Sequence, residues 1–342
     1  MKSYIICCRN SGELMRECVE KSYGHIKYEL PFIGALCVEN TAAVLKLRGI
    51  TAATEDMKVT KFDAQESSKP CMVNADADSL GRDVSIAVLD TGTHPHYDLI
   101  KPYNRLLVFK DFVNSRTVPY DDDGHGTHVS GIAAGNGFSG APKGIAPEAS
   151  IVSLKVLDSD GSGNVSGILA AMQWICDNHR KYNIRVVNLS LGMTYDDSVR
   201  IDPLHLGVGA LYKSGITVVA AGGNSGPAAK TISSPGNSPY VITAGCCGTS
   251  GVSEFSSRGP AGTYMKPDLV AYGEDICSLA PGKTATATQS GTSMSAPVVS
   301  GAAACLYSAY PQLTAYQVKR ILMSATIPFE QEDRNSQGYG RL

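Results

Sequence analysis

The chain has almost no net charge, no long apolar run and no metal-like cysteine spacing, and each shortage removes a class of function. Its 30 basic and 32 acidic side chains leave a formal charge near −2, which gives no electrostatic case for nucleic acid or an anionic membrane surface as a partner. No apolar stretch approaches the roughly 20 residues that span a bilayer. The ten cysteines include neither Cys-x-x-Cys nor a Cys/His metal pattern. Two pairs, Cys7-Cys8 and Cys246-Cys247, are neighbours that a bridge would strain. Most of the others sit in apolar runs, where a thiol behaves as a small hydrophobe, and this favours a reducing compartment. The opening Tyr4-Ile5-Ile6-Cys7-Cys8 is too short for the apolar core of a secretory signal. The expected location is therefore the cytoplasm, or outside the cell if a leader has been removed.

What is present suits a compact α/β protein: 342 residues, 43% hydrophobic and 18% charged. Residues 1–62 read as a small α+β module. Tyr4–Cys8 forms a strand; Ser11 is placed to cap a helix through Leu14, Met15, Cys18 and Val19; His25 to Val38 suits two strands; and Asn40 is placed to cap a second helix ending at Gly49. Residues 63–79 are polar, contain Pro70 and lack periodicity, a linker composition. From residue 80 to 342, near-continuous apolar runs begin at Val84, Ser150, Arg185, Thr217 and Val241. Such runs belong to strands buried on both faces. Val165, Ile168, Leu169, Met172 and Ile175 form a helical stripe between them, and Ser293 to Tyr307 forms an alanine-rich helix nearly free of charge. Alternating β and α elements predict a doubly wound, mostly parallel sheet with helices on both faces.

Three element ends carry chemistry. Val88-Leu89-Asp90-Thr91-Gly92 closes a strand with a carboxylate, Asp123-Gly124-His125-Gly126-Thr127-His128 sets an imidazole before a helix, and Gly291-Thr292-Ser293-Met294-Ser295-Ala296-Pro297 sets a hydroxyl at a helix start. A serine needs a base to become a useful nucleophile. His125 titrates in the right range, and Asp90 can fix its tautomer and stabilise the imidazolium. The Gly-x-Ser-x-Gly elbow of esterases and lipases is absent around Ser293. His128, one turn after His125, reads as a structural hydrogen-bonding residue. His94 and His96 read as a solvated loop, and Asp121-Asp122-Asp123 as an exposed turn with some affinity for calcium.

The order Asp, His, Ser belongs to the subtilisins, and residues 80–342 resemble a subtilisin-like serine protease (subtilase) along nearly their whole length. Further motifs carry the resemblance: Gly144-Ile145-Ala146-Pro147, Asn188-Leu189-Ser190-Leu191-Gly192, Ala220-Ala221-Gly222-Gly223-Asn224, Phe255-Ser256-Ser257-Arg258-Gly259-Pro260 and Lys266-Pro267-Asp268. The module before them resembles an inhibitor-type propeptide. The resemblance implies a serine endopeptidase working through an acyl-enzyme. Asp90, His125 and Ser293 would form its triad, and Asn224 with the Ser293 N–H its oxyanion hole. Substrate would pair with Ser190-Leu191-Gly192 and Gly161-Ser162-Gly163. The pocket for the residue before the scissile bond would be walled by Gly222 and Gly223 and floored near Ser233. None of those positions is charged, so a hydrophobic or aromatic residue is expected there.

The resemblance also implies a zymogen that cuts itself near Phe62, with its propeptide remaining as an intramolecular inhibitor. The other expected partner is a peptide or protein substrate, with no nucleic acid and no membrane, and the chain acts as a monomer. No cofactor is required. Asp98 matches a frequent calcium ligand, yet Gly135 to Lys143 departs from the loop that completes the strong site in secreted subtilisins. Tyr272 stands where relatives commonly carry proline, and the chain ends at Gly340-Arg341-Leu342, where many continue into a terminal helix. The rival reading is a non-catalytic or partner-activated relative that binds or signals.

Overall fold

The computed structural model describes residues 2–8, 12–22, 24–39, 43–47, 49–64, 80–194 and 202–342. At the amino terminus, β1 (Ser3–Cys8), α1 (Glu13–Lys21), β2 (His25–Leu30), β3 (Ala35–Glu39) and β4 (Ile50–Glu55) build an antiparallel sheet in the order β2-β3-β1-β4. Period-two side-chain direction divides this sheet between two cores. Ile6, Leu36 and Val38 pack with Met15 and Val19 of α1, whereas Ile5, Leu30 and Ala35 enter the core of the large domain. Two helix expectations change. Ser11 and Asn40 lie outside the described residues, and α1 starts after Gly12 with no side-chain cap. The second helix is only a 3₁₀ turn, Val44–Lys46, in which Val44 alone is buried, too little apolar surface to support further turns. A further strand, β5 (Lys58–Lys61), leaves this module for the large domain. Most of the expected linker, residues 65–79, lies outside the described residues.

The large domain holds β6 (Ser85–Asp90), β7 (Leu106–Asp111), β8 (Ser150–Lys155), β10 (Ile184–Leu189), β12 (Thr217–Ala221), β13 (Ile242–Cys247) and β14 (Leu269–Tyr272). They form one parallel sheet in the order β14-β13-β12-β10-β6-β8-β7. Both faces are covered. Ile86 and Val88 point toward α3 (His125–Ala134) and α6 (Thr292–Ala309), while Ala87 and Leu89 point toward α4 (Val165–Asn178) and α5 (Pro203–Lys213). The stripe Val165, Ile168, Leu169, Met172 and Ile175 is wholly buried. The sequence did not single out β7, because an edge strand keeps exposed positions such as Leu107 and so lacks a continuous apolar run. Short strands β9 (Ser162–Asn164) and β11 (Leu191–Gly192) stand at the carboxyl ends of the sheet. A hairpin, β15 (Ile276–Leu279) with β16 (Thr286–Gln289), packs on α3. Tyr272 ends β14, and its hydroxyl accepts a hydrogen bond from Arg341 Nη1 at 3.0 Å. Among the described residues no helix is long and apolar enough to cross a membrane.

Candidate active site

Asp90 is the last residue of the interior strand β6, at the carboxyl edge where open α/β sheets place their ligand sites. His125 is the first residue of α3, and its Nδ1 lies 2.7 Å from Asp90 Oδ1, with both side chains buried. Asp121 holds these two element ends together. Its Oδ1 accepts from Thr91 Oγ1 (2.9 Å), Gly124 N (2.9 Å) and Asp123 N (3.3 Å), and its Oδ2 from Thr127 N (2.8 Å) and Thr127 Oγ1 (2.6 Å). These donors hold Asp121 below the ordinary aspartate range despite its burial. Burial pushes Asp90 up against the opposing pull of His125. For His125, burial works downward, but the carboxylates of Asp90 and Asp63 outweigh it, so the imidazole binds its proton more tightly than an ordinary histidine.

Ser293 sits in the first turn of α6. Pro297 has no N–H to give to the carbonyl of Ser293 four residues back, and Ser190 Oγ fills the gap, donating to Ser293 O at 2.8 Å. In return Ser293 Oγ donates to Ser190 O at 2.9 Å. The Ser190 hydroxyl is itself held by Asn188 Nδ2 (2.9 Å), and Asn188 Oδ1 accepts from Ser300 Oγ (2.8 Å). Asn224 is anchored through its Oδ1, which accepts from Thr292 N (3.1 Å) and Thr292 Oγ1 (2.9 Å). That leaves Asn224 Nδ2 buried with no hydrogen-bond partner among the described residues, and the same holds for His125 Nε2.

The cleft between these groups is occupied by the chain's own segment 58–64. As an antiparallel strand, β5 lies between β11 and β9, pairing Lys61 with Leu191, Thr60 with Gly192 and Ser162, and Val59 with Gly163. Val59 is buried in the large-domain core. Phe62 N donates to Ser293 Oγ at 3.1 Å, and its ring rests on Gly192, where an added Cβ would lie 2.7 Å from it. Its carbonyl oxygen rests on the Gly291 backbone. There φ is +151°, and an added Cβ would come within 2.4 Å of that oxygen and 3.1 Å of Asn224 Nδ2, so only glycine serves. Asp63 follows, 3.4 Å from His125 Nε2, and Ala64 N donates to Ser290 O at 2.7 Å.

The sites read from the sequence fall into two groups. Asp90, His125, Ser293, Asn224, Leu191, Gly192, Gly161, Ser162 and Gly163 converge on this cleft. Gly222, Gly223 and Ser233 meet at the end of β12, with Ser233 N donating to Gly222 O at 2.9 Å. Ser190 differs from expectation: its hydrogen bonds go to Ser293, not to the strand in the cleft. Asp98 lies apart. Calcium needs six to eight oxygens, but of the carboxylate and carbonyl oxygens here only Asp98 Oδ2 is buried without a hydrogen-bond partner among the described residues. Asp98 Oδ1 accepts from Ser139 N at 2.7 Å, and the Arg105 guanidinium holds Asp98 O, Ala134 O (2.8 Å) and Ala149 O (2.7 Å). Among the described residues no cluster of three His, Cys, Asp or Glu could hold a metal, and these residues do not fit calcium.

Other expectations need correction. His96 is buried, not solvated, with Nδ1 accepting from Asp98 N at 3.1 Å to cap a short helix, α2 (Tyr97–Ile100). Asp121 is likewise buried, because the loop folds its carboxylate inward onto five donors. His128 Nε2 lies 3.0 Å from Ile276 O and 3.1 Å from Ala287 O, pinning α3 to the hairpin, and burial with His125 nearby pulls it down to about 4. Sequence reasoning missed Val59, Lys61, Asp121 and Asp123 as parts of the cleft. Three carboxylates just before the histidine helix were the available signal.

The family model described as the Subtilase family matches residues 81–340. The chain is 39% identical to "Serine protease AprX" of Bacillus subtilis (strain 168), over 77% of this chain and 65% of that protein. It is 36% identical to "Subtilisin DY" of Bacillus licheniformis, over 71% of this chain and 84% of that one. It thus spans just under two thirds of the first of these relatives. The crystal structure of fervidolysin from Fervidobacterium pennivorans, titled a keratinolytic enzyme related to subtilisin, superposes with a TM-score of 0.80 at 19% identity, covering 100% of this chain and 60% of that one. At that identity the likeness shows the fold alone.

Proposed function

The chain belongs to the subtilase family, and from that membership and the geometry of the cleft we propose that it is a serine endopeptidase made as a self-processing zymogen. Ser293 Oγ attacks the carbonyl carbon of the scissile bond while His125 Nε2 takes its proton, and Asp90 stabilises the imidazolium. For this the hydroxyl must turn from Ser190 O to His125. The oxyanion that forms faces Asn224 Nδ2 and the Ser293 N–H at the start of α6. His125 then gives the proton to the leaving amine, and water hydrolyses the acyl-enzyme.

The observation that carries this reading is segment 58–64, which lies in the cleft as a substrate would. The Phe62–Asp63 bond stands beside Ser293, His125 and an unpartnered amide donor. We take Phe62 as the residue before the cut and the module 1–62 as a propeptide that stays in the groove as inhibitor. The uncharged pocket around Gly192 suits an aromatic or other hydrophobic side chain there. No cofactor enters any step.

Intact-mass spectrometry over several hours tests it. Wild type is expected to part between Phe62 and Asp63, while Ser293→Ala stays whole. If both stay whole and no peptide is hydrolysed, the zymogen reading falls and a partner-binding relative takes its place.

A further inference from the structure

We infer that Asp123 makes the cleft select lysine or arginine at the residue preceding the aromatic one, so that preferred substrates carry a basic–aromatic pair. This rests on the endopeptidase reading and adds a substrate class to it.

The Lys61 side chain occupies the relevant position and is only 21% exposed, against 9% for that of Asp123. Lys61 Nζ donates to Asp123 Oδ1 and Oδ2, each at 2.8 Å, and pairs with Asp63 Oδ2 at 2.9 Å. Its methylene stem runs across Gly161, where an added Cβ would lie 2.6 to 2.8 Å from Cε, Cδ and Cγ, and where φ is +69°. A slot floored by backbone admits a long unbranched chain and ends on a carboxylate.

The three acids before His125 are not equivalent. Asp121 is saturated by its five donors. Asp122 is neutralised by the buried Lys155, whose Nζ is 2.6 Å away and also donates to Thr91 O and Leu157 O. Asp123 has, apart from Lys61, only the His125 N–H on Oδ1 at 3.0 Å among the described residues. Once Phe62–Asp63 is cut and residues 1–62 leave, Lys61 goes with them, and Asp63 becomes the free end of the remaining chain. The Asp123 carboxylate, covered by Lys61 until then, is left facing the groove without its cation. A lysine restores the pair, an arginine can meet both oxygens at once, a neutral residue leaves the charge to water, and an acidic one is repelled.

The test uses the full-length chain, incubated until its mass no longer changes. Its substrates are four peptides identical except for the residue before a phenylalanine: lysine, acetyl-lysine, methionine or glutamate. Lysine is expected to exceed acetyl-lysine and methionine by roughly tenfold in kcat/KM, more than an exposed ion pair gives, with glutamate slowest. The ratio should shrink in high salt and approach one in Asp123→Asn. Equal rates for lysine and acetyl-lysine in wild type would overturn the inference with no variant needed, as would an undiminished ratio in Asp123→Asn. Either result leaves the endopeptidase reading standing if the methionine peptide is cut. If none of the four is cut, that reading fails and this inference fails with it.

Discussion

Asp63 brings a negative charge to 3.4 Å from His125 Nε2, the nitrogen that accepts the serine proton in the proposed mechanism. It contributes, after Asp90, to holding the His125 proton above the ordinary histidine range. A general base works only when neutral, so while Asp63 is in place the base becomes available at higher pH. Self-cleavage of wild type should therefore have an acid limb at higher pH than peptide hydrolysis by the processed enzyme, in which Asp63 is a free chain end and a substrate takes its place beside His125. In Asp63→Asn the self-cleavage limb should move to lower pH while the peptide limb stays put. Coinciding self-cleavage profiles for the two chains would remove Asp63 from this role. Burial has the opposite consequence for thiols, pushing Cys37 and Cys246 up to about 12 and Cys305 to about 11. These cysteines stay protonated and pack as hydrophobes, as their apolar surroundings in the sequence suggested.

At the scale of elements, α6 shows why a proline can stand inside a helix beside a nucleophile. Pro297 frees the Ser293 carbonyl from the helix ladder, and Ser190, at the end of β10, takes that carbonyl across the sheet. Removing the Ser190 hydroxyl leaves a buried carbonyl unsatisfied, at roughly 1–3 kcal/mol. Ser190→Ala should therefore lower the denaturant midpoint. The loss should be smaller when measured from Pro297→Ala, which returns an N–H to the same carbonyl. A double-mutant cycle by denaturant unfolding reads this directly, and additive losses would mean that the two residues do not share it. Strand β5 makes the complementary point. Its residues alternate without an apolar run, so the sequence shows nothing of the strand it forms. Its pairing exists only because β9 and β11 offer open edges on either side.

For the whole molecule, Arg105 does the cross-linking that a bound cation does elsewhere. Its guanidinium ties the carbonyls of Asp98, Ala134 and Ala149, joining the loop after α3 to the start of β8. Burial lowers it to about 10, which still leaves it charged at neutral pH. Arg105→Met should cost about 2–4 kcal/mol in urea unfolding, since three carbonyls lose their donor. Added calcium should not repair the loss, because a single carboxylate accompanies them. Recovery in calcium would show a latent ion site.

The sequence by itself determined the layered α/β class, the strands whose apolar runs mark burial on both faces, and a carboxylate, an imidazole and a hydroxyl at three element ends, because each is a local pattern: a periodicity, or a polar residue between small ones. Only the tertiary structure decided what meets across the chain. Asp121 binds strand to helix, Arg105 takes the carbonyls around the Asp98 carboxylate that suggested calcium, and Lys61 reaches Asp123 from 62 positions away. Such contacts leave no local trace, since they depend on the sheet order that brings distant element ends to one edge.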